Sequence, residues 1–361
     1  MALLMTWGET RAMNGLFDGM YTSYVVLIVV LYVVVKFALH EITPPRSEKE
    51  ASSKRSREID NSVLYPYGVA EMQGKRPYME DRYVAVGTLN GDATASFYGV
   101  FDGHGGDGAS EYCAEVLCNN VIQDPMYAKY PKEALTKGFL RTDEDYTQVA
   151  NRRNRDDGTT AVTVLAQRDT IYVANVGDSR AVLIKKDGDA IALSNDHKPN
   201  RPDERERVTN MGGHVIFWGV WRVEGILAVS RAIGDRMLKP YVIAEPEITE
   251  HERCADDAYL VLASDGVWDV LSNAEVARMV LQADSIHLAA KTIMESAYQR
   301  GSLDNICAMV LDLQPNGSPA PKSPKVSSGG LTEVLQADDD EDEEDDATMT
   351  GADGMVTAPL D

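Results

Sequence analysis

The sequence predicts an α+β fold with antiparallel strand pairing rather than a βαβ wind. Two observations carry that prediction. Residues 160–165 (TAVTVL) and 170–176 (TIYVANV) are consecutive β-rich runs across a tight turn, which favours antiparallel partners. Helical periodicity appears in separate pairs and does not alternate with strands. A third observation bears on function: acidic residues recur beside glycine where strands end.

Five segments follow in order: residues 1–19, an anchor at 20–40, a linker at 41–62, a body at 63–314 and an acidic tail at 315–361. Residues 24–39 read YVVLIVVLYVVVKFAL, with Lys36 as the only charge. Twenty residues from Met20 would span ~30 Å as a helix, about one hydrocarbon core. Lys36 lies near the end and can reach the headgroups. A buried core helix would show a polar stripe. A cleaved signal peptide would show a basic start and a small-residue cleavage site. An N-terminal transmembrane helix is therefore expected. Arg11 precedes it, and Arg46, Lys49, Lys54, Arg55 and Arg57 follow it. That asymmetry places the body in the cytosol. The expected location is a single-pass protein of the endoplasmic reticulum or another endomembrane.

The linker is polar and charged. In the body, strands are predicted at 96–101, 160–165, 170–176, 181–185, 258–263 and 306–313. Helices are predicted at 108–121, 131–150, 201–211, 273–282 and 287–299. Glu111 suits one helix start, and Asn273 with Glu275 suits another. Beyond the body, PNGSPAPKSPKVSSGG has the composition of disorder. Asp338 to Asp346 are nine consecutive acids, a run that repels itself and stays solvated.

Net charge is −22. From Gln314 onward, two lysines face twelve acids, so the tail holds −10 of that and the rest −12. A negative body argues against nucleic acid as a partner. Cys113, Cys118, Cys254 and Cys307 show no CxxC spacing, which fits neither a zinc site nor a disulfide framework.

The pairs Asp102-Gly103, Gly177-Asp178, Gly234-Asp235, Asp265-Gly266 and Asp304-Asn305 follow β-rich runs or their equivalents, and Glu80-Asp81 adds a carboxylate pair. A strand holds its last residue rigidly, and glycine lets a ligand or backbone approach. Hard divalent cations prefer oxygen ligands of this kind. Any one Asp-Gly is an ordinary turn. Together they indicate hydrolysis or phosphoryl transfer with hard metals.

Eight motifs sharpen this: RPYMEDRY (76–83), VFDGHGG (100–106), GTTA (158–161), ANVGDSRAV (174–182), DHKP (196–199), LAVSRAIGD (227–235), LASDGVWDV (262–270) and DNI (304–306). In content and order they resemble the type 2C (PPM) family of metal-dependent protein phosphatases, from about Tyr67 to Leu313. The anchor with WRVEGILAVSRAIGD also resembles the membrane-anchored "protein phosphatase 1-like" branch.

The resemblance implies an α-β-β-α sandwich of two antiparallel sheets flanked by helix pairs. It implies a protein-serine/threonine phosphatase with two Mg²⁺ or Mn²⁺ ions, and a weaker third site in some members. Asp102 would bridge both ions, and the Gly103 carbonyl would contact one. Asp265 and Asp304 would ligate the other. Glu80 and Asp81 would hold metal-bound waters, opposite Asp265 and Asp304. Asp178 and Asp269 match the third site. Arg76 would grip the substrate phosphate and His104 would be the general acid. A hydroxide shared by two metals would attack phosphorus directly. The protein would act as a monomer on phosphoproteins. Trp218, Trp221 and Trp268 are expected in the core or a flap. The competing reading is a catalytically silent, membrane-anchored scaffold that binds phosphoproteins.

Overall fold

The computed structural model describes residues 62–314. The expected anchor at 20–40, the linker through residue 61 and the acidic tail lie outside the described residues. Among the described residues, no helix is long and apolar enough to cross a membrane.

Strand alternation decides the architecture. In β15 (Ile306–Asp312), Ile306, Ala308 and Val310 join one buried cluster, and Cys307, Met309 and Leu311 join another. Period-two alternation thus gives one strand two apolar faces. In β14 (Asp257–Ala263), Leu260 and Leu262 share the second cluster while Val261 and Ala263 share the first. Strands with both faces apolar must be covered on both sides.

One sheet runs in the order β1 (Tyr67–Met72), β15, β14, β8 (Arg180–Lys185), β9 (Ala190–Ala192). The other runs β13 (Glu247–Glu252), β7 (Thr170–Val176), β6 (Ala161–Gln167), β3 (Asp92–Phe101), β2 (Arg82–Leu89). All pairs within both sheets are antiparallel. Tyr98, Val100, Val162, Val164 and Val173 from one sheet meet Leu183, Leu260, Leu262 and Met309 from the other. Burying each aliphatic side chain stabilises by roughly 1.5–3 kcal/mol.

Helices cover the outer faces. Helix α1 (Gly108–Ile122) and helix α2 (Pro131–Arg153) pack Leu117, Val121, Leu135 and Phe139 onto Phe97, Phe101 and Leu165. Helix α3 (Pro202–Asn210) lies apart, with Val208 in a small cluster. The four-residue α4 (Asp265–Trp268) precedes α5 (Asn273–Gln282) and α6 (Ile286–Gln299). Val276, Ala277, Ala290 and Ile293 cover Val261, Ala308 and Val310. The four layers are those expected from the resemblance.

Local chemistry fixes the helix starts. Glu111 lies in the first turn of α1. The cap of α5 is Ser272, not Asn273: Ser272 and Glu275 form a reciprocal capping box. Asn273 is the first helical residue, and its side chain accepts from Arg180 Nη1 at 2.8 Å. The hairpin β10 (Val215–Trp218) and β11 (Val220–Val223) stands off the sandwich. Trp218 at its tip is 66% exposed, and Trp221 meets Phe217 edge-on. Trp268 is buried, and its indole N–H donates to the Ala263 carbonyl at 2.9 Å.

Candidate functional site

Three strand ends deliver carboxylates to one point. Asp102 follows β3, Asp178 follows β7 and Asp265 follows β14. One carboxylate oxygen from each lies within 4.8 Å of the others. Burial, then the nearby Asp81, Asp178 and Asp304 carboxylates, push Asp102 well above the usual carboxylate range. Burial, then Asp102, Asp178 and Asp304, do the same to Asp265. Crowded carboxylates of this kind become stably ionised beside cations.

Asp81 tests whether a cation fits. It is buried, and its Oδ2 accepts from Ser264 Oγ at 2.8 Å. Its Oδ1 is buried without a hydrogen-bond partner. Burial pushes its pKa up to about 8, with Asp265 and Asp304 adding to the rise and the Ser264 bond opposing it. An orphaned buried oxygen beside a ring of carboxylates suits hard divalent cations such as Mg²⁺ or Mn²⁺. The cluster contains neither histidine nor cysteine.

A second group is tied together through Asn305. Its side-chain oxygen accepts from the Glu80 N–H at 2.7 Å. Its side-chain amide donates to the Gln73 and Tyr78 carbonyls at 2.7 and 2.8 Å. The 73–80 segment is thereby pinned to the start of β15. Arg76 reaches Asp304 at 2.5 Å and is otherwise exposed, as the mouth of a site requires. Glu80 and Asp81 face different partners. Asp81 turns to Ser264, whereas Glu80 lies near His104 and Arg76. Burial raises the Glu80 pKa, and those two cations oppose the rise. Gly103 packs against this segment: a Cβ there would lie 2.6 Å from the Glu80 carbonyl and 2.8 Å from Ser110 Oγ.

His104 is set by three very short strands. β4 (Gly103–His104) pairs with β5 (Gly158–Thr159), which pairs with β12 (Ile233–Gly234). His104 and Gly234 thus both face Gly158, and Asp235 follows directly. His104 Nε2 lies 2.8 and 3.0 Å from the two Asp235 oxygens. Gly158 makes this possible: a Cβ there would lie 2.6 Å from His104 Nε2 and nearer still to Asp235 Oδ2. Burial disfavours the charged imidazole, but Asp235, then Asp178 and Glu80, outweigh it and hold the His104 pKa above its ordinary value. A protonated imidazole can serve as a proton donor.

Lys198 enters the carboxylate cluster from the DHKP segment. Its Nζ lies 2.5 Å from Asp178 Oδ2. Asp269, at the end of α4, lies within the field of both: burial raises its pKa, Lys198 lowers it and Asp178 raises it. The structure thus brings Asp102, Asp178 and Asp265 into one ring, with Asp81, Asp304 and Asp269 in their field and Arg76, Glu80 and His104 alongside. Sequence reasoning assigned no role to Asp235, Lys198, Asn305, Ser264 or Gly158. Asp235 carried a signal as one of the acids beside glycine, and the others lay within or next to quoted motifs.

The family model described as "Protein phosphatase 2C" matches residues 65–306. Among curated proteins, "Probable protein phosphatase 2C 59" of Arabidopsis thaliana is 46% identical over 254 residues, covering 70% of this chain and 81% of that protein. "Probable protein phosphatase 2C member 13, mitochondrial" of Oryza sativa subsp. japonica is 48% identical over 245 residues, covering 68% and 67%. Among solved structures, a serine-threonine phosphatase 2C from Toxoplasma gondii superposes with TM-score 0.63 at 25% identity, covering 69% of this chain and 94% of that one. A C. elegans sex determining protein superposes with TM-score 0.64 at 27% identity, covering 69% and 65%.

Proposed function

The chain belongs to the protein phosphatase 2C family, and from that premise we propose that it hydrolyses phosphoserine and phosphothreonine on proteins with two Mg²⁺ or Mn²⁺ ions. The observation that carries this reading is the ring of Asp102, Asp178 and Asp265 with Arg76 and His104 beside it. Asp102, Asp265, Asp304, Asp81 and Glu80, with the Gly103 carbonyl, are the groups that would hold the ions. Asp178 and Asp269 would serve a weaker third site. Two such cations, when bound, make water acidic enough to attack phosphorus at neutral pH.

The chain's own residues supply the rest. Arg76 presents a planar fork of donors to the phosphate dianion at the rim of the site. Its exposure leaves it free to turn from Asp304 toward substrate. A serine or threonine alkoxide is a poor leaving group, so bond cleavage needs a proton. His104 donates it, oriented by Asp235. One further proposal concerns the whole chain. Residues 20–40 hold it in a membrane as a single-pass anchor with the catalytic body in the cytosol, in the manner of the anchored branch of the family. Carbonate washing of membranes should leave the protein in the pellet, and its release into the wash would refute the anchor.

The catalytic reading is tested with the purified full chain in detergent and a phosphothreonine peptide. Phosphate release should require Mg²⁺ or Mn²⁺ and stop with chelator. Binding of the peptide without metal-dependent turnover would favour the silent scaffold.

A further inference from the structure

Away from the carboxylate ring, the end of β8 meets the loop between β13 and β14 around a buried acid. Asp257 is fully buried. Lys185 Nζ donates to its Oδ1 at 2.6 Å. The Cys254 N–H donates to its Oδ2 at 2.8 Å, and His251 Nε2 lies 2.8 Å from the same oxygen. These bonds bring the Lys185 nitrogen to 3.2 Å from Cys254 Sγ, and the sulfur itself lies 3.3 Å from Asp257 Oδ1.

An ion pair between Lys185 and Asp257 would not by itself need a thiol in contact with the ammonium. Here the carboxylate grips both the lysine head and the cysteine backbone, so neither partner can swing away. Cys254 is exposed, whereas Cys113, Cys118 and Cys307 are buried. Among these thiols it is the one that dissolved oxidant reaches directly. No proposed catalytic residue belongs to this cluster.

We propose that Lys185 and Cys254 form a redox-reversible covalent cross-link, Nζ–O–Sγ, with dioxygen as the oxidant. The gap between nitrogen and sulfur is one that a single bridging atom spans after a small approach. The lysine enters as the amine, its ammonium proton passing to solvent. The thiol sulfur and the amine nitrogen each give up an electron pair, and dioxygen takes both pairs. One oxygen atom becomes the bridge. The other leaves as water with the S–H proton and one N–H proton. A thiol reductant returns the cysteine, the amine and water. The linkage ties the end of β8, in one sheet, to the residues directly after β13, in the other.

The test is mass spectrometry of the full chain, purified under argon with reductant or exposed to air-saturated buffer. In air, the intact mass should gain one oxygen and lose two hydrogens, and thiol reductant should reverse the change. Tryptic digestion should yield a joined peptide containing Lys185, uncleaved, and Cys254. Lys185→Arg keeps a cation for Asp257 but has no primary amine, and Cys254→Ser has no thiol. Both should lose the joined peptide. Oxidation of Cys254 to sulfenic or sulfinic acid with the Lys185 peptide free would overturn the proposal. So would an equal mass change in Lys185→Arg. The wild-type peptide map decides the question even if a variant folds poorly.

Discussion

Lys198 Nζ lies 2.5 Å from Asp178 Oδ2, inside the group of carboxylates that also includes Asp265 and Asp269. Asp178 is 4% exposed, whereas the Lys198 side chain is 38% exposed. The lysine is thus a cation tethered where the sequence resemblance implies a weak third metal. Burial disfavours its charge, yet Asp178, Asp265 and Asp269 together hold its pKa above the ordinary lysine value.

Removing that charge should strengthen cation binding. Two unit charges 4 Å apart interact by about 4 kcal/mol at an effective dielectric of about 20. A fraction of that suffices for about tenfold tighter binding, which needs about 1.4 kcal/mol. Lys198→Met should therefore bind divalent cations more tightly, or bind one more per chain, in isothermal titration with Mn²⁺. Lys198→Arg should resemble the wild type. An unchanged isotherm for Lys198→Met would show that the lysine does not compete with a cation.

Asp102→Asn separates stability from catalysis. The substitution keeps the shape but removes a charge from a crowded ring. Phosphate release should fall by about a thousandfold or more, since the ring loses its proposed central ligand. In chelator, the same variant should melt higher than the wild type, because like-charge repulsion is relieved. About 1 kcal/mol corresponds to a shift of about 2–4 °C for a domain of this size. Calorimetry in chelator with parallel phosphate assays checks both directions.

These sites were unevenly legible in the sequence. β3, β6, β7, β8, β14 and β15 were readable because their apolar runs are buried on one or both faces. β13 (EITEHE) was not, because it is a polar edge strand without an apolar run. The two-residue strands β4, β5 and β12 have no periodicity at all; they exist because β5 is gripped from both sides. That triplet brings His104 and Asp235 together across 131 positions of chain. Asp102, Asp265 and Asp304 stood out as acids at strand ends. Their mutual distances, and the entry of Lys198, depend on packing that no local pattern encodes. The capping of α5 by Ser272 shows the same limit at short range, since Asn273 beside it is an equally good cap by type.

Glu204 should govern acid stability next to the hairpin. It is 1% exposed and accepts from Arg231 at 2.6 and 3.0 Å, from Arg207 at 2.8 Å and from Ser230 Oγ at 2.6 Å. Burial alone would raise its pKa, but Arg231, Arg207 and Ser230 reverse this and lower it to about 2. A depressed carboxylate contributes stability above its unfolded pKa and loses it as pH falls through the folded one. The contribution should therefore be complete above about pH 5 and fade between there and about pH 2. Its size is on the order of 3 kcal/mol. Glu204→Gln should lower the unfolding free energy by about that much at pH 7, and by much less near pH 2.5. Urea denaturation at the two pH values measures the difference. Equal losses at both would assign the effect to packing.

His104 and its support should be read through the leaving group. If His104 protonates the departing oxygen, His104→Gln should slow a phosphoserine peptide by about a hundredfold or more. It should slow p-nitrophenyl phosphate much less, because nitrophenolate leaves without a proton. Asp235→Asn weakens the grip on Nε2 and should show the same asymmetry at smaller size. Gly158→Ala acts through space alone: its methyl would sit where His104 Nε2 and Asp235 Oδ2 now meet. It should match His104→Gln in the ratio of the two substrates while leaving metal binding near wild type. Equal slowing of both substrates in all three variants would mean that His104 shapes the site without donating the proton.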